Sequence, residues 1–256
     1  MNNSYYSHPK LIKVELEKNN HCTSLKEPYH FAIIIPYRDQ IQQKRKEQLE
    51  YFIPFITDYL KGLGESYHFH IIVVEQSEDG RKFNRGKLLN VGFCIAQKKG
   101  CKYCIFHDVD LIPDNTLRSY YGFYPYQPLH LAAVWEKYQH LPVFFGGVCA
   151  FNCDHFRAVN GFPNDFWGWG CEDEELYYRI GESGMDILQP TCGQFIEQAH
   201  LASKTIPNLV NLERDELLAE TRMKPAESNG LSTLKTTKIF PSKSLNDYTE
   251  QYLVVL

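Results

Sequence analysis

Phe31-Ala-Ile-Ile-Ile-Pro36 is the stretch on which the fold turns. Its apolar residues run on without alternation and end at a proline, which predicts a strand buried on both faces, as in a parallel sheet. His70-Ile-Ile-Val-Val-Glu75 and Tyr103-Cys-Ile-Phe-His107 have the same character. Between the first two runs, Leu49, Phe52, Ile53, Phe55, Ile56 and Leu60 recur at helical spacing, which predicts a helix within 41–62, interrupted or kinked near Pro54. Between the second and third, Leu88, Leu89, Val91, Phe93 and Ile95 predict a helix over 88–97 that stops near Gly100. Strand–helix–strand–helix–strand predicts an α/β protein: a right-handed, Rossmann-like, mostly parallel central sheet flanked by helices. In such a sheet a nucleotide crevice lies at the carboxyl ends of the strands, and Arg38-Asp39 and Asp108-Val-Asp110 both fall just past such ends.

Further out, Leu131–Trp135 and Val148–Phe151 read as additional strands, and Glu172–Ser183 as a helix capped at Gly184. A polar stretch over 203–212 leads into a helix near 213–222, and Gly230–Leu234 and Tyr252–Leu256 read as short closing strands. Residues 1–28 form a polar, loosely packed arm, and 29–256 a single domain. There are no internal repeats and no low-complexity tract.

The chain has 256 residues, 43% hydrophobic and 23% charged, with a net charge of −4. That balance excludes bulk nucleic-acid binding, since no basic excess exists to neutralise phosphates. The eight cysteines follow no framework spacing, and Cys101-Lys-Tyr-Cys104 lacks the second CxxC that a zinc site would need. Reduced, packed thiols are the expectation. The amino-terminal residues contain no apolar core of a signal peptide, and no apolar run approaches the ~20 residues of a membrane span. The expectation is a soluble, cytoplasmic chain with no membrane span, or one of the Golgi lumen only if the sequence is truncated.

The chemistry-bearing residues fall into five groups. Asp108 and Asp110, two apart in an extended segment, would share a side and suit Mg²⁺ or Mn²⁺ on a diphosphate, although D-x-D also occurs in plain turns. Phe83-Asn-Arg-Gly-Lys87 opens a helix; Arg85 and Lys87 there can hold an anion or be a solvated first turn, and Phe83 can stack on a base. Gly146-Gly147 permits close approach of a ligand to the backbone, or a bulge. Glu197 and His200, three apart, can aim at one ion from a helix or turn, or form a surface pair. In Phe162-Pro-Asn-Asp-Phe-Trp-Gly-Trp-Gly-Cys-Glu-Asp-Glu-Glu175, two tryptophans among glycines suggest a surface that closes over something. The carboxylates Glu172–Glu175 that follow can be catalytic or simply complement a helix dipole.

Taken together, IIIPYRDQ (33–40), FNRGKLLNVGF (83–93), HDVDLIP (107–113), FFGGVCAF (144–151) and NGFPNDFWGWGCEDEELYYRI (160–180) resemble the β-1,4-galactosyltransferase family; NGLSTL (229–234) fits a weaker motif. The resemblance covers most of residues 31–235 in the family's order. It implies a GT-A-type glycosyltransferase fold, with a nucleotide-sugar half over about 29–113 and an acceptor half over about 130–256. It implies inverting transfer of galactose from UDP-galactose to a saccharide or glycoconjugate acceptor, with Mn²⁺. It further implies Asp110 as a metal ligand with Glu197 and His200, Asp108 on the nucleotide sugar, and Arg38, Phe83 and Arg85 on the UDP. Lys137 would lie near the donor phosphates and Gly147 against the donor. Trp169 would belong to a lid, Asp173 would be the catalytic base, and Glu172 would bind sugar hydroxyls.

Four positions depart from the family. Gln40 replaces the second arginine of its PFRxR motif, and Glu197 stands where the family's vertebrate form has Met; Glu is the harder ligand, which predicts a good Mn²⁺ site with greater tolerance of Mg²⁺. Phe144 replaces a tyrosine that helps choose galactose over N-acetylgalactosamine, losing the hydroxyl but keeping the bulk. Glu174 replaces an aspartate that touches the acceptor. A donor of N-acetylgalactosamine or glucose, or a catalytically silent carbohydrate-binding protein, are the competing readings.

Overall fold

The computed structural model describes residues 7–16, 29–199, 206, 209–235, 238–240 and 243–256. Its strands are β1 (Leu11–Val14), β2 (Tyr29–Tyr37), β3 (Tyr67–Gln76), β4 (Tyr103–His107), β5 (Leu111–Pro113), β6 (Leu129–His130), β7 (Val148–Asn152), β8 (Ile187–Pro190), β9 (Phe195–Glu197), β10 (Lys238–Ile239), β11 (Lys243–Asn246) and β12 (Thr249–Val255). Its helices are α1 (Arg45–Lys61), α2 (Arg85–Lys98), α3 (Arg118–Tyr121), α4 (Cys153–Ala158), α5 (Glu172–Glu182) and α6 (Arg214–Arg222). The main sheet runs β1-β8-β6-β7-β4-β2-β3-β12-β10, with β11 also on β12, while β5 and β9 form a separate antiparallel pair. β2 pairs in parallel with β3 and β4, and β3 with β12; β7 enters antiparallel between β4 and β6.

The unbroken apolar run in β2 is buried on both faces, as its sequence predicts. Phe31, Ile33 and Ile35 pack with Phe52, Ile56 and Leu60 of α1, while Ala32 and Ile34 pack with Leu88 and Val91 of α2 and with Ile180 of α5. Gly92 is what brings α2 so near: a Cβ there would overlap the Ile34 side chain. This close seating fixes the amino-terminal end of α2 beside the carboxyl ends of β2 and β4.

Several local expectations are corrected. α1 is continuous through Pro54. Pro54 lies on the exposed face, where water can satisfy the carbonyl that loses its donor, so no break is required. Leu131–Val134 is a 3₁₀ turn, because β6 ends at His130 and the chain there bends toward the cleft. Leu231–Thr233 is likewise a 3₁₀ turn, held by Asn160 through its carbonyl to Leu231 N (2.8 Å) and its Oδ1 to Ser232 N (2.8 Å). Within the amino-terminal arm, Leu11–Val14 pairs with β8 as an edge strand. The closing strand over 252–256 is observed and begins earlier, at Thr249. Among the described residues, no helix is long and apolar enough to cross a membrane.

Candidate active site

A cleft of about 440 Å³ opens past the carboxyl ends of β2 and β4. Arg38, Phe83, Arg85, Asp108, Asp110, Lys137, Gly147, Trp169, Glu172, Asp173 and Glu197 all line it, so every site residue predicted from sequence and described in the structure meets there. His200 lies outside the described residues.

Asp108 and Asp110 do not share an extended face. Residues 109–110 form a turn, with Leu111 N donating to the Asp108 carbonyl at 3.3 Å, and the carboxylates go to different partners. Arg85 Nε donates to Asp108 Oδ1 at 2.7 Å, and Arg45 Nη1 donates to Asp110 Oδ2 at 2.8 Å. Arg85 also reaches Glu172 Oε1 at 3.4 Å, joining the first turns of α2 and α5. Burial opposes the Arg85 charge, but Asp108 and Glu172 outweigh it and hold the guanidinium pKa above its ordinary value. Its Nη2 is buried without a partner among the described residues, as is Nε of Arg38. Arg38 lies over the Phe83 ring, 5.6 Å from its centre, and donates to the Arg81 carbonyl. Two guanidinium groups with unspent donors beside an aromatic face make a site for an anion attached to a flat ring.

The carboxylates that open α5 divide by direction, since successive residues turn by about 100°. Glu175 points into the core, where Arg179 donates to it at 2.8 Å and Arg222 at 3.4 Å. Glu172 and Asp173 face the cleft. Burial, reinforced by the neighbouring Asp173 charge, pushes the Glu172 pKa up to about 7; burial also raises Asp173. All four carboxylates lie in the first turn of α5, where the helix dipole favours them, and Glu172, Asp173 and Glu174 also line the cleft.

α5 is held in place from a distance. Asn164 N donates to Asn229 Oδ1 at 2.7 Å, its Nδ2 to the Gly230 carbonyl at 2.7 Å, and its Oδ1 accepts from Asn90 at 3.0 Å. This buried amide network clasps the 162–170 loop between α2 and the 229–233 turn. In that loop Gly168 (φ +92°) and Gly170 (φ +124°) flank Trp169 in conformations that side chains resist. Trp169 N donates to the Leu209 carbonyl at 2.7 Å, Arg214 lies over its ring, and the ring is 39% exposed at the rim.

Asp110 and Glu197 are neighbours across the β5–β9 pair: Leu111 is opposite Glu197, and Gln198 N donates to the Asp110 carbonyl at 2.8 Å. Lys137 Nζ contacts Glu197 at 2.6 and 2.8 Å. Two carboxylates, one just before β5 and one at the end of β9, each paired with a cationic side chain, fit a hard divalent ion such as Mn²⁺ or Mg²⁺. Glu197 ends a strand instead of lying in a helix, and its geometry to His200 lies outside the described residues. Arg45 escaped the sequence reading. It sits in the polar 39–48 segment, and only the fold shows that it reaches the cleft that Gln40 also lines.

Two family profiles match the chain: the "N-terminal region of glycosyl transferase group 7" over residues 5–122, and the "N-terminal domain of galactosyltransferase" over 127–201. β-1,4-Galactosyltransferase 1 of Bos taurus is 37% identical over 213 residues, 81% of this chain and 50% of that protein. The chain thus spans about half the length of the curated relatives it matches. The catalytic domain of Drosophila β-1,4-galactosyltransferase 7, solved with xylobiose, is 30% identical with a TM-score of 0.70, covering 89% of this chain and 93% of that one. A mutant of the same enzyme, solved with manganese, UDP-Gal and xylobiose, is 29% identical with a TM-score of 0.69 over the same shares. With the GT-A architecture, the cleft and these likenesses together, the chain belongs to the β-1,4-galactosyltransferase family.

Proposed function

We propose that the chain is a metal-dependent, inverting glycosyltransferase that moves galactose from UDP-galactose to a terminal sugar hydroxyl, forming a β-1,4 linkage. The observation that carries this reading is the pairing of Arg38 and Arg85, each with an unspent buried donor, with Asp173 in the same cleft. The first two suit a nucleoside diphosphate, and the last suits proton abstraction from an acceptor. The Drosophila relative solved with manganese, UDP-Gal and xylobiose supports both sides of that assignment.

Arg38 and Arg85 hold the diphosphate, with Phe83 against the uracil and Lys137 near the phosphates. Asp108 and Glu172 bind donor hydroxyls, and Gly147, at φ +75°, brings its backbone against the donor. Trp169 covers the bound sugar and excludes water that would otherwise hydrolyse it. Asp110 and Glu197, with His200, would hold Mn²⁺ and tolerate Mg²⁺; when bound, that ion would offset the charge growing on the departing diphosphate. Asp173 takes the proton of the acceptor hydroxyl while its oxygen bonds C1 on the face opposite UDP. The C1–O bond to UDP breaks with its electron pair, and the configuration inverts. Burial raises the Asp173 pKa, which strengthens it as a base. Phe144 lines the cleft and retains the bulk that disfavours an N-acetyl group. GlcNAc, glucose and xylose termini are the acceptors proposed.

The test is an acceptor array with UDP-galactose and Mn²⁺, followed by linkage analysis of the product. A β-1,4-galactoside is expected. Faster transfer from UDP-GalNAc or UDP-glucose would overturn the donor, and UDP release indifferent to every acceptor would overturn transfer itself.

A further inference from the structure

The cleft occupies one end of the sheet; a second cluster of metal-ligating side chains occupies the other. His30 is the second residue of β2, His70 lies in β3, and Cys101 lies two residues before the start of β4. The parallel register places Ala32 opposite His70, so His30 and His70 are diagonal neighbours on one face of adjacent strands. Lys102 N donates to the His30 carbonyl at 2.7 Å, which holds Cys101 alongside the same strand start. One ligand atom from each residue lies within 4.8 Å of the other two, and the two imidazole rings are 5.1 Å apart between centres. His30 and Arg38 lie eight residues apart along the same strand direction, roughly 26 Å at 3.3 Å per residue, so this cluster is separate from the cleft.

We propose that His30, His70 and Cys101 form a binding site for a borderline-soft divalent ion of the zinc class. Two imidazoles and one thiolate suit Zn²⁺ and Co²⁺, in contrast with the oxygen donors Asp110 and Glu197 that suit Mn²⁺. Three protein ligands leave a fourth position for water.

The surroundings agree with this use. Burial, followed by the charge of His68, lowers the pKa of His30; burial, followed by that of Lys99, lowers the pKa of His70. Burial thus favours the neutral form of both rings, the form that ligates. The site lies beyond the carboxyl end of α2, where the helix dipole favours a cation. Glu250 acts electrostatically on His70 and is itself fixed by Lys99 (2.6 Å) and the Tyr252 hydroxyl (2.6 Å), as outer-sphere carboxylates of metal sites are. Burial pushes the Cys101 thiol up to about 12, so ion binding must displace its proton.

The test is Co²⁺ titration of the whole chain after chelator treatment, followed by absorbance, with Zn²⁺ as competitor. A thiolate-to-cobalt charge-transfer band is expected in the parent and in Cys153→Ser, because the Cys153 thiol, which donates to the Cys101 carbonyl at 3.2 Å, is a neighbouring thiol that could replace it. The band should disappear in Cys101→Ser, and Co²⁺ affinity should fall about 10–100-fold in His70→Gln. No thiolate band at saturation, or a band that survives Cys101→Ser, overturns the site. If both variants fail to fold, alkylation of the parent decides: protection of Cys101 by Zn²⁺ supports the site, and unchanged labelling overturns it.

Discussion

The carboxylate of Asp173 fills the space that a side chain on Gly146 would occupy. The absence of a Cβ at Gly146 therefore lets α5 bring its proposed base against the cleft floor. Gly146→Ala should displace that carboxylate and lower kcat about 10–100-fold, because misplacement by about 1 Å can cost that much. The KM for UDP-galactose and the circular-dichroism spectrum should change little. Unchanged kcat would mean that the position of Asp173 is not critical.

Asp173→Asn preserves shape and removes the base. Turnover should fall by ~10²–10⁴-fold. UDP affinity, measured by calorimetry, should stay within about threefold, since Arg38 and Arg85 carry the diphosphate. A variant that retains full turnover removes Asp173 from the reaction.

Glu172 links function to stability through its raised pKa. The unfolded carboxyl loses its proton near pH 4.5, while the folded one keeps it to about pH 7. Below the lower value the two states bind protons equally; as pH rises from 4.5 to 7 the unfolded state is favoured. Glu172→Gln should therefore melt higher than the parent at pH 8, by on the order of 1–3 kcal/mol, and close to the parent at pH 4.5. Its transfer rate should nevertheless drop. A stability gap that does not widen with pH contradicts this account of burial.

Glu197 sets the proposed ion preference. Glu197→Met should reduce Mg²⁺-supported transfer more than Mn²⁺-supported transfer, shifting the ratio on the order of tenfold. Asp110→Ala should abolish both. Equal losses with the two ions would show that Glu197 does not ligate.

The central sheet was legible because its strands are apolar on both faces, and the helices between them carry clear 3.6-residue periodicity. Leu131–Val134 was misread as a strand since a short apolar run looks alike in both states; what decides it is the turn into the cleft after β6. The cleft residues were legible as motifs, but their pairings were not. Arg45 on Asp110 joins sequence positions 65 apart, and Lys137 on Glu197 positions 60 apart. The divergence of Asp108 from Asp110 was hidden for a related reason, since the turn there is set in part by Asp108 N donating to the Gly147 carbonyl. The amide clasp from Asn164 to Asn229 gives the NGLSTL segment a purpose that its composition alone does not convey.

The pairing of β3 with β12 has a consequence for biogenesis. Thr249 lies beside Ile71 and Val254 beside Gln76, so one flank of β3 is covered only by a strand that leaves the ribosome late. Until then Ile71, Ile72, Val73 and Val74 present an open edge suited to pairing with other nascent chains. Slowed translation between β3 and β12 would prolong that hazard, and growth at low temperature or co-expression of a holdase chaperone would lessen it.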